Sequence, residues 1–189
     1  GVPGVPPAHV TIVGGGIVGT NAARIALGFG AKVTLVDLNL NRLREIDDIF
    51  NGRVYTLSSN SYNLAHATAE ADLVIGAVLI PGATAPKIIT RTMVSKMKKG
   101  AILINCARGN IVDENALAER LKSGHIAGAA FDVFAVEPAN GNPLLELPNF
   151  FGSPHIGATT MESWEAMLRS GMEGIEKAYR PEPGVYPFD

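Results

Sequence analysis

The chain has 189 residues, of which 47% are hydrophobic and 18% charged, with a net charge of -2 and a mean hydropathy of +0.18. This length suits one well-cored domain, and the apolar composition excludes a disordered chain. A near-neutral charge without a basic run argues against nucleic acid as a partner, and apolar runs of strand length argue against a membrane span. The single cysteine and the lack of a signal sequence favour a cytoplasmic protein.

Short apolar runs alternate with runs of helical periodicity along the chain, which is the pattern of repeated βα units. The predicted strands are 9–13, 32–37, 53–57, 72–78, 101–105, 126–133 and 149–153. The predicted helices are 17–29, 40–50, 63–71, about 87–97, 114–122 and 161–179. The order predicts a doubly wound parallel Rossmann sheet in a single three-layer α/β/α domain.

Residues that commonly begin or end helices support these boundaries. Gly30 is expected to stop the first helix, Asp113 to cap the fifth and Gly124 to end it. The first helix carries an apolar face, formed by Val18, Ala22, Ile25 and Phe29. Residues 1–7 form a linker-like lead rich in proline and glycine, residues 8–180 the domain, and residues 181–189 a tail. The lead has no initiating methionine, which favours an excised or engineered piece.

A glycine-rich turn follows the first predicted strand, with the sequence Gly14-Gly15-Gly16-Ile17-Val18-Gly19. Such a pattern is common in ordinary turns, but here a strand enters it, a helix leaves it and an acidic residue ends the next strand. Gly14 is expected to permit the tight turn, Gly16 the approach of a pyrophosphate, and Gly19 close packing of helix on strand. The pyrophosphate would lie on the backbone N–H groups of Ile17 and Val18.

Asp37 ends the second predicted strand. A carboxylate there accepts hydrogen bonds from both ribose hydroxyls and repels a 2′-phosphate, so the sequence predicts NAD(H) rather than NADP(H) as the cofactor. A solvated strand-end aspartate is the alternative. Arg42 lies nearby and could serve a 2′-phosphate, but with Asp37 in place it is expected to flank the adenine.

A distinctive set of segments occurs in the first half: the glycine turn with residues 20–23, the stretches 36–39 and 43–50, and the run ADLVIGAVLIPGA at 71–83. In these segments the chain, from about residue 6 to 99, resembles the nucleotide-binding domain of bacterial alanine dehydrogenase. The resemblance implies that Ser59 and Arg42 border the adenosine, and that Val78 and Leu79 line the nicotinamide-ribose side. For Ser59, a plain loop serine is an equally good interpretation.

From residue 100 to about 180 a different set of motifs appears: INCARG at 104–109, VDE at 112–114, AGAAFDVF at 127–134, EP at 137–138 and PHIGAT at 154–159. These motifs resemble the D-2-hydroxyacid dehydrogenases, such as D-3-phosphoglycerate dehydrogenase. The two resemblances meet near Met97 to Gly100. The chain is therefore interpreted as a chimera of two dehydrogenase families, of natural or, more in keeping with the sequence, engineered origin.

The second resemblance implies a set of catalytic residues. His155 would exchange a proton with the substrate oxygen, Glu137 would hold its imidazole, and Arg108 would bind the substrate carboxylate. Asp132 would contact the nicotinamide carboxamide. The residues implied to border the nicotinamide half of the cofactor are Cys106, Ala107, Arg108, Asp132, His155 and Gly157. Cys106 is expected to pack as a small apolar residue, and no metal site is predicted.

Both families use a second domain to enclose the substrate, and the sequence shows none. The favoured hypothesis is a binding module that holds NAD(H). An active minimal dehydrogenase of 2-hydroxy acids or alanine, completed by a dimer partner, is the alternative, and a stable sheet without a ligand is a third. The apolar stripe of the last helix either packs on the sheet or forms a homodimer contact. The stripe consists of Met161, Trp164, Met167, Leu168, Met172, Ile175 and Tyr179.

Overall fold

In the computed structural model of the chain, residues 2–78 and 87–179 are described, with side chains as far as residue 175. The chain divides into two compact units, Gly1–Pro154 and His155–Asp189. The first unit contains the sheet and five α-helices, and the second contains one long helix.

The sheet of the first unit is parallel throughout and has seven strands. They are β1 (His9–Val13), β2 (Lys32–Asp37), β3 (Val54–Ser58), β4 (Leu73–Gly76), β5 (Ile102–Asn105), β6 (Gly128–Phe131) and β7 (Phe150–Gly152). Their spatial order is β3-β2-β1-β4-β5-β6-β7, and Val13 of β1 pairs with Val36 of β2 on one side and with Gly76 of β4 on the other. The order reverses at β1, so a crevice lies at the carboxyl ends of β1 and β4. The predicted Rossmann fold is confirmed.

Helices cover both faces of this sheet. On one face α1 (Ile17–Gly28) and α2 (Leu40–Phe50) pack against β1, β2 and β3. On the other face lie α3 (Ser61–Glu70), α4 (Arg91–Lys96) and α5 (Glu114–Lys122), together with a 3-10 turn at Pro143–Glu146. The second unit consists mainly of α6 (Met161–Tyr179), which has the predicted bounds. Asp113 caps α5 as predicted, since its side chain accepts a hydrogen bond from the Ala116 N–H at 2.9 Å.

The fourth helix begins later than predicted, at Arg91 instead of about Lys87. Its expected first turn is extended, because Ile89 forms a parallel bridge with Val112. The Ile89 N–H donates to the Ile111 carbonyl at 2.9 Å, and the Asp113 N–H donates to the Ile89 carbonyl at 3.1 Å. Tertiary pairing therefore overrides the local helical pattern at this point.

The face of α1 that packs on the sheet consists of small residues: Gly19, Thr20, Ala23 and Ala26. The larger side chains expected on its apolar face point away from the core, with Ile25 64% and Phe29 77% exposed. The periodicity therefore indicated a helix correctly, but it indicated the wrong buried face. Small residues face inward because the glycine turn brings α1 very close to β1.

One face of the sheet is only half covered by the first unit. Within the described residues of that unit, α1 and α2 cover β1 to β3, and no helix covers the same face of β5 to β7. Ile102 of β5 is 44% exposed there and Phe151 of β7 is 68% exposed. Parallel sheets are ordinarily buried on both faces. The first unit therefore leaves apolar side chains of this half-face exposed.

Candidate dinucleotide site

A groove of about 960 Å³ opens at the carboxyl ends of β1, β2 and β4, where the strand order reverses. Eight of the predicted site residues line it: Gly14, Gly16, Ile17, Val18, Asp37, Arg42, Ser59 and Val78. Leu79, which was predicted beside Val78, lies outside the described residues. Eight of the nineteen described residues that line this groove were thus predicted from the sequence.

The glycine turn is shaped by close approaches to its neighbours. Gly14 has φ +109°, and a Cβ there would lie 2.6 Å from the carbonyl carbon and oxygen of Ala77. A Cβ on Gly19 would collide with the Gly14 carbonyl oxygen. Gly16 differs, because a Cβ there would meet no heavy atom within 4 Å. Gly14 and Gly19 are therefore required by the fold, whereas Gly16 keeps open a space on the groove.

This open space lies at the amino terminus of α1. Gly16 is the N-cap residue and makes no side-chain cap, while Ile17 and Val18 begin the helix and are exposed. The first backbone N–H groups of a helix have no partner within it, and the helix dipole favours negative charge there. The residues present therefore fit a pyrophosphate.

Asp37 and Arg42 both contact the glycine turn. The Asp37 carboxylate accepts from the Gly15 N–H at 2.6 Å and from the Asn39 N–H at 2.8 Å. The Arg42 guanidinium donates to the Gly15 carbonyl at 2.6 Å, and also to Thr20 and Glu45. Sequence reasoning placed both residues near the cofactor but missed these contacts, because Gly15 is a variable position of the glycine motif.

Several groove residues were not singled out from the sequence: Leu38, Asn39, Ser61, Lys87, Ile88, Thr90 and Met93. Leu38 is 78% exposed, which is unusual for an apolar side chain directly after a buried strand. An apolar residue directly after Asp37 could have indicated from the sequence that this wall of the groove is apolar. Lys87, with its Nζ 3.8 Å from an Asp113 carboxylate oxygen, adds a cation to the opposite wall.

The ends of β5 and β6 continue the sheet edge beyond the groove. The Cys106 N–H donates to the Gly76 carbonyl at 3.2 Å, and the Asp132 N–H donates to the Asn105 carbonyl at 3.0 Å. The Ser153 hydroxyl donates to the Asp132 carboxylate at 2.6 Å. Cys106 is exposed, so the expectation that it packs as a small apolar residue is wrong. Partial burial, and then the Asp132 charge, raise the pKa of its thiol, which favours the neutral thiol over a nucleophilic thiolate.

Asn105 shapes the loop that carries Arg108. The Asn105 side chain is buried, accepts from the Ala107 N–H at 3.1 Å and donates to the Arg108 carbonyl at 3.1 Å. The Arg108 guanidinium donates to the Ala107 carbonyl at 2.8 Å. Sequence reasoning passed over Asn105, although an asparagine at the end of a strand is a recognised signal for such a turn.

Two loops predicted to carry catalytic residues are packed together. A Cβ on Gly109 would collide with the Phe134 carbonyl oxygen, so the loop after β5 lies directly against the loop after β6. In the latter loop the Glu137 carboxylate accepts from the Phe134 N–H at 2.9 Å. The first unit therefore holds Arg108, Asp132 and Glu137 at neighbouring strand ends.

His155 and Gly157 belong to the second unit. His155 has φ 56°, in the left-handed region that non-glycine residues seldom adopt. Residues in such conformations are enriched at functional sites, where the surrounding structure holds them. This outlier is the structural feature that singles out His155 within its unit.

The sheet is parallel with the strand order given above, and the glycine turn follows β1, where that order reverses. These two features define the class of Rossmann dinucleotide-binding domains. Within that class, the chain belongs to the alanine dehydrogenase/PNT C-terminal domain family, whose sequence model matches residues 1–119. The match extends past the join predicted at Met97 to Gly100.

The chain is 59% identical over 107 residues to the alanine dehydrogenase of Methanococcus maripaludis, covering 57% of this chain and 29% of that protein. It is 56% identical over 115 residues to the Bacillus subtilis enzyme, covering 60% of this chain and 30% of that protein. The chain thus spans about a third of the length of these curated relatives.

Solved structures similar to the chain are D-2-hydroxyacid dehydrogenases. A glyoxylate reductase from Paecilomyes thermophila matches 96% of this chain and 51% of its own, with a TM-score of 0.77 and 28% identity. The D-lactate dehydrogenase of Aquifex aeolicus, complexed with NAD and lactic acid, matches 89% of this chain and 52% of its own, with a TM-score of 0.71 and 26% identity. Both predicted resemblances are confirmed, and the chain is a nucleotide-binding domain of the dehydrogenases.

In the part of the chain that the structure describes, no helix has both the length and the apolar character needed to cross a bilayer. Among those same residues, no three His, Cys, Asp or Glu side chains are grouped as a metal ion would need.

Proposed function

We propose that this domain binds NAD(H) in preference to NADP(H). The observation that carries the proposal is the Asp37 carboxylate on the wall of the groove, next to the open space at Gly16. A carboxylate at the end of the second strand accepts hydrogen bonds from ribose hydroxyls, and its charge repels a 2′-phosphate. Support also comes from the family to which the chain belongs.

In this proposal the groove residues hold the two halves of the cofactor separately. Gly16 and the N–H groups of Ile17 and Val18 hold the pyrophosphate, and Asp37 holds the adenosine ribose. Leu38 and Ser59 border the adenosine. The nicotinamide half extends past Val78 and Leu79 toward the ends of β5 and β6, and the bound nicotinamide supplies hydride transfer.

Calorimetric titration of the purified chain with NADH, ADP-ribose and NADPH tests this proposal. We expect NADH and ADP-ribose to bind and NADPH to bind at least about tenfold more weakly, which corresponds to ~1.4 kcal/mol of discrimination. NADPH binding as tightly as NADH would exclude Asp37 as the selector. Lack of binding by all three ligands would exclude the dinucleotide function itself.

We propose a second, catalytic function, which the contact between the loops of Gly109 and Phe134 favours. This contact keeps Arg108 and Glu137 on adjoining loops, where Arg108 binds the carboxylate of a 2-keto acid. Asp132 orients the nicotinamide, which Cys106 and Ala107 border. The roles of Glu137, of His155 in proton transfer and of Gly157 beside the nicotinamide are those that the resemblance to D-2-hydroxyacid dehydrogenases implies. Oxidation of NADH by glyoxylate or pyruvate, abolished in His155→Ala, is the expected result, and turnover that survives this substitution would exclude the role of His155.

We propose that residues 8–180 are the nucleotide-binding domain, with residues 1–7 as a lead and 181–189 as a tail. The first strand begins at His9 and the last helix ends at Tyr179, which supports these limits. Substrate enclosure then depends on protein outside this sequence. A cytoplasmic setting is proposed as well, because reducing compartments suit a lone free cysteine such as Cys106.

We propose a homodimer that forms through the half-covered face of the sheet. Ile25 and Phe29 line a groove of about 520 Å³ whose described lining residues are almost all apolar. Ile102 and Phe151 are exposed on the strands that α1 and α2 leave uncovered. A second copy suits this face because the described residues that line the groove carry no charge and so meet their own copies without repulsion. Its apolar side chains can also contribute much of the ~800 Å² per partner that a stable interface buries.

Light scattering during gel filtration tests the dimer, with two matched variants. Phe151 on edge strand β7 and Tyr55 on the opposite edge strand β3 are 68% and 69% exposed. We expect Phe151→Lys to convert a dimer into a monomer, because the lysine ammonium would have to be buried in the interface. Tyr55→Lys is expected to stay dimeric. A monomeric parent chain would contradict the proposed interface.

A further inference from the structure

We propose that Arg42 is a positioning residue that holds the pyrophosphate turn in its binding conformation, and that it does not read the 2′ position of the ribose. This inference rests on the proposed binding of a dinucleotide. It assigns Arg42 a different part in that binding from bordering the adenosine, because its three guanidinium nitrogens donate to Gly15 of the turn, to Thr20 of α1 and to Glu45.

Each of the three nitrogens of the Arg42 guanidinium donates a hydrogen bond to another protein group. Nε donates to the Gly15 carbonyl at 2.6 Å, one terminal nitrogen to the Thr20 hydroxyl at 2.9 Å, and the other to the Glu45 carboxylate at 2.6 Å. The side chain is only 28% exposed. The planar fork of arginine suits such simultaneous contacts, whereas the single ammonium of lysine cannot reproduce them.

Gly15 is held on both of its backbone polar groups by side chains from the next βα unit. Asp37 accepts its N–H at 2.6 Å, and Arg42 donates to its carbonyl. A Cβ on Gly15 would lie 2.7 Å from the Ile46 Cδ1 atom, so the peptide also fits tightly against α2. The central glycine of the turn is therefore fixed by hydrogen bonds and by packing.

Thr20 extends this restraint to the next residue. The Thr20 hydroxyl, which accepts from Arg42, donates to the Gly16 carbonyl at 2.8 Å. Gly16 borders the space assigned to the pyrophosphate. A run of three glycines is otherwise conformationally free, and ordering it on binding would reduce affinity. Arg42 thus acts on the pyrophosphate through Gly15 and Thr20, by ordering the turn before the ligand arrives.

The same contacts indicate that Arg42 does not determine the choice between NADH and NADPH. Its charge is paired with Glu45, and its directional donors are aimed at the turn and at α1. Loss of Arg42 is therefore expected to weaken every ligand that contains the pyrophosphate by the same factor. The ratio between NADH and NADPH is expected to stay constant, since that ratio depends on Asp37.

The test compares Arg42→Ala, Arg42→Lys and the unsubstituted chain in calorimetric titrations with AMP, ADP-ribose, NADH and NADPH. We expect both variants to bind the three pyrophosphate ligands about tenfold more weakly, with AMP affinity and the NADH-to-NADPH ratio unchanged. Arg44→Ala is the matched control, because Arg44 lies on the same helix and donates only to the exposed Asn41. It should bind every ligand as the parent chain does.

Thr20→Val provides an independent variant that keeps the volume of the side chain and removes the hydroxyl link. It should reproduce the pattern of Arg42→Ala with a smaller loss. Unchanged affinities in both Arg42→Ala and Thr20→Val would overturn the inference and leave the proposed function standing. Parental affinity in Arg42→Lys would show that charge is what matters, and a loss confined to NADPH would show that Arg42 reads the 2′-phosphate. If the parent chain bound none of the ligands, the proposed function would fail first and this inference with it.

Discussion

Replacing Gly16 with alanine is expected to weaken NADH and ADP-ribose binding about 10- to 100-fold, because crowding a close contact costs ~1–3 kcal/mol. The melting temperature of the free protein should not change. Gly16 has φ -67°, which alanine adopts readily, and a Cβ there meets no heavy atom within 4 Å. The methyl group would project into the space assigned to the pyrophosphate. Calorimetry and thermal melts of the same samples measure the two effects.

Gly28→Ala is the matched control for this substitution. Gly28 ends the same helix, and its Cβ would also meet nothing within 4 Å, but it lies outside the groove. Alanine there should leave binding unchanged and raise the melting temperature slightly, since alanine favours helix more than glycine does. If Gly16→Ala bound ADP-ribose with parental affinity, the pyrophosphate could not lie where the groove places it.

The parts of the fold that were predictable from the sequence are those set by local chemistry. Buried parallel strands read as apolar runs, and glycine, aspartate and proline mark where they end. The glycine turn, Asp37 at the end of the second strand and the cap at Asp113 could each be recognised from a local pattern of residue types in the chain. For the same reason, both family resemblances could be identified from contiguous motifs.

The features that sequence reasoning missed depend on contacts between distant segments. Arg42 reaches Gly15 across 27 positions, and Gly109 packs against Phe134 from another loop. The buried face of α1 was also missed, because larger apolar residues outweighed Ala23 and Ala26 in the pattern. Small residues are required where the backbones of a helix and a strand approach closely, and the periodicity of hydrophobic residues does not indicate that distance.

The two family resemblances meet within a continuous sheet. Gly76 of β4 pairs with Asn105 of β5, and a Cβ on Gly76 would lie 3.2 Å from the Asn105 side-chain oxygen. Asn105 in turn shapes the loop of Arg108. Gly76 thus makes room for the side chain that organises the loop of Arg108. The nicotinamide side of the groove therefore depends on the β4–β5 contact.

Gly109→Ala is expected to damage that nicotinamide side while sparing the adenosine side. The new methyl group would collide with the Phe134 carbonyl, so the loops of Arg108 and Glu137 would separate. Overpacking of this kind costs ~1–3 kcal/mol and lowers the melting temperature by several degrees. We expect NADH to bind no better than ADP-ribose in this variant, because its nicotinamide contacts are lost, while ADP-ribose keeps its parental affinity.

Gly128→Ala is the control for Gly109→Ala, because it adds a methyl group in the same half of the sheet without pushing the loops of Arg108 and Glu137 apart. A Cβ on Gly128 would lie 3.4 Å from the Asn149 carbonyl oxygen, an ordinary contact distance. This control should retain both the stability and the preference for NADH over ADP-ribose. Equal losses of NADH and ADP-ribose affinity in Gly109→Ala would mean that the two ends of the groove are not independent. The glycine turn would then respond to the loops beyond β5, and the domain would have to be treated as one coupled site.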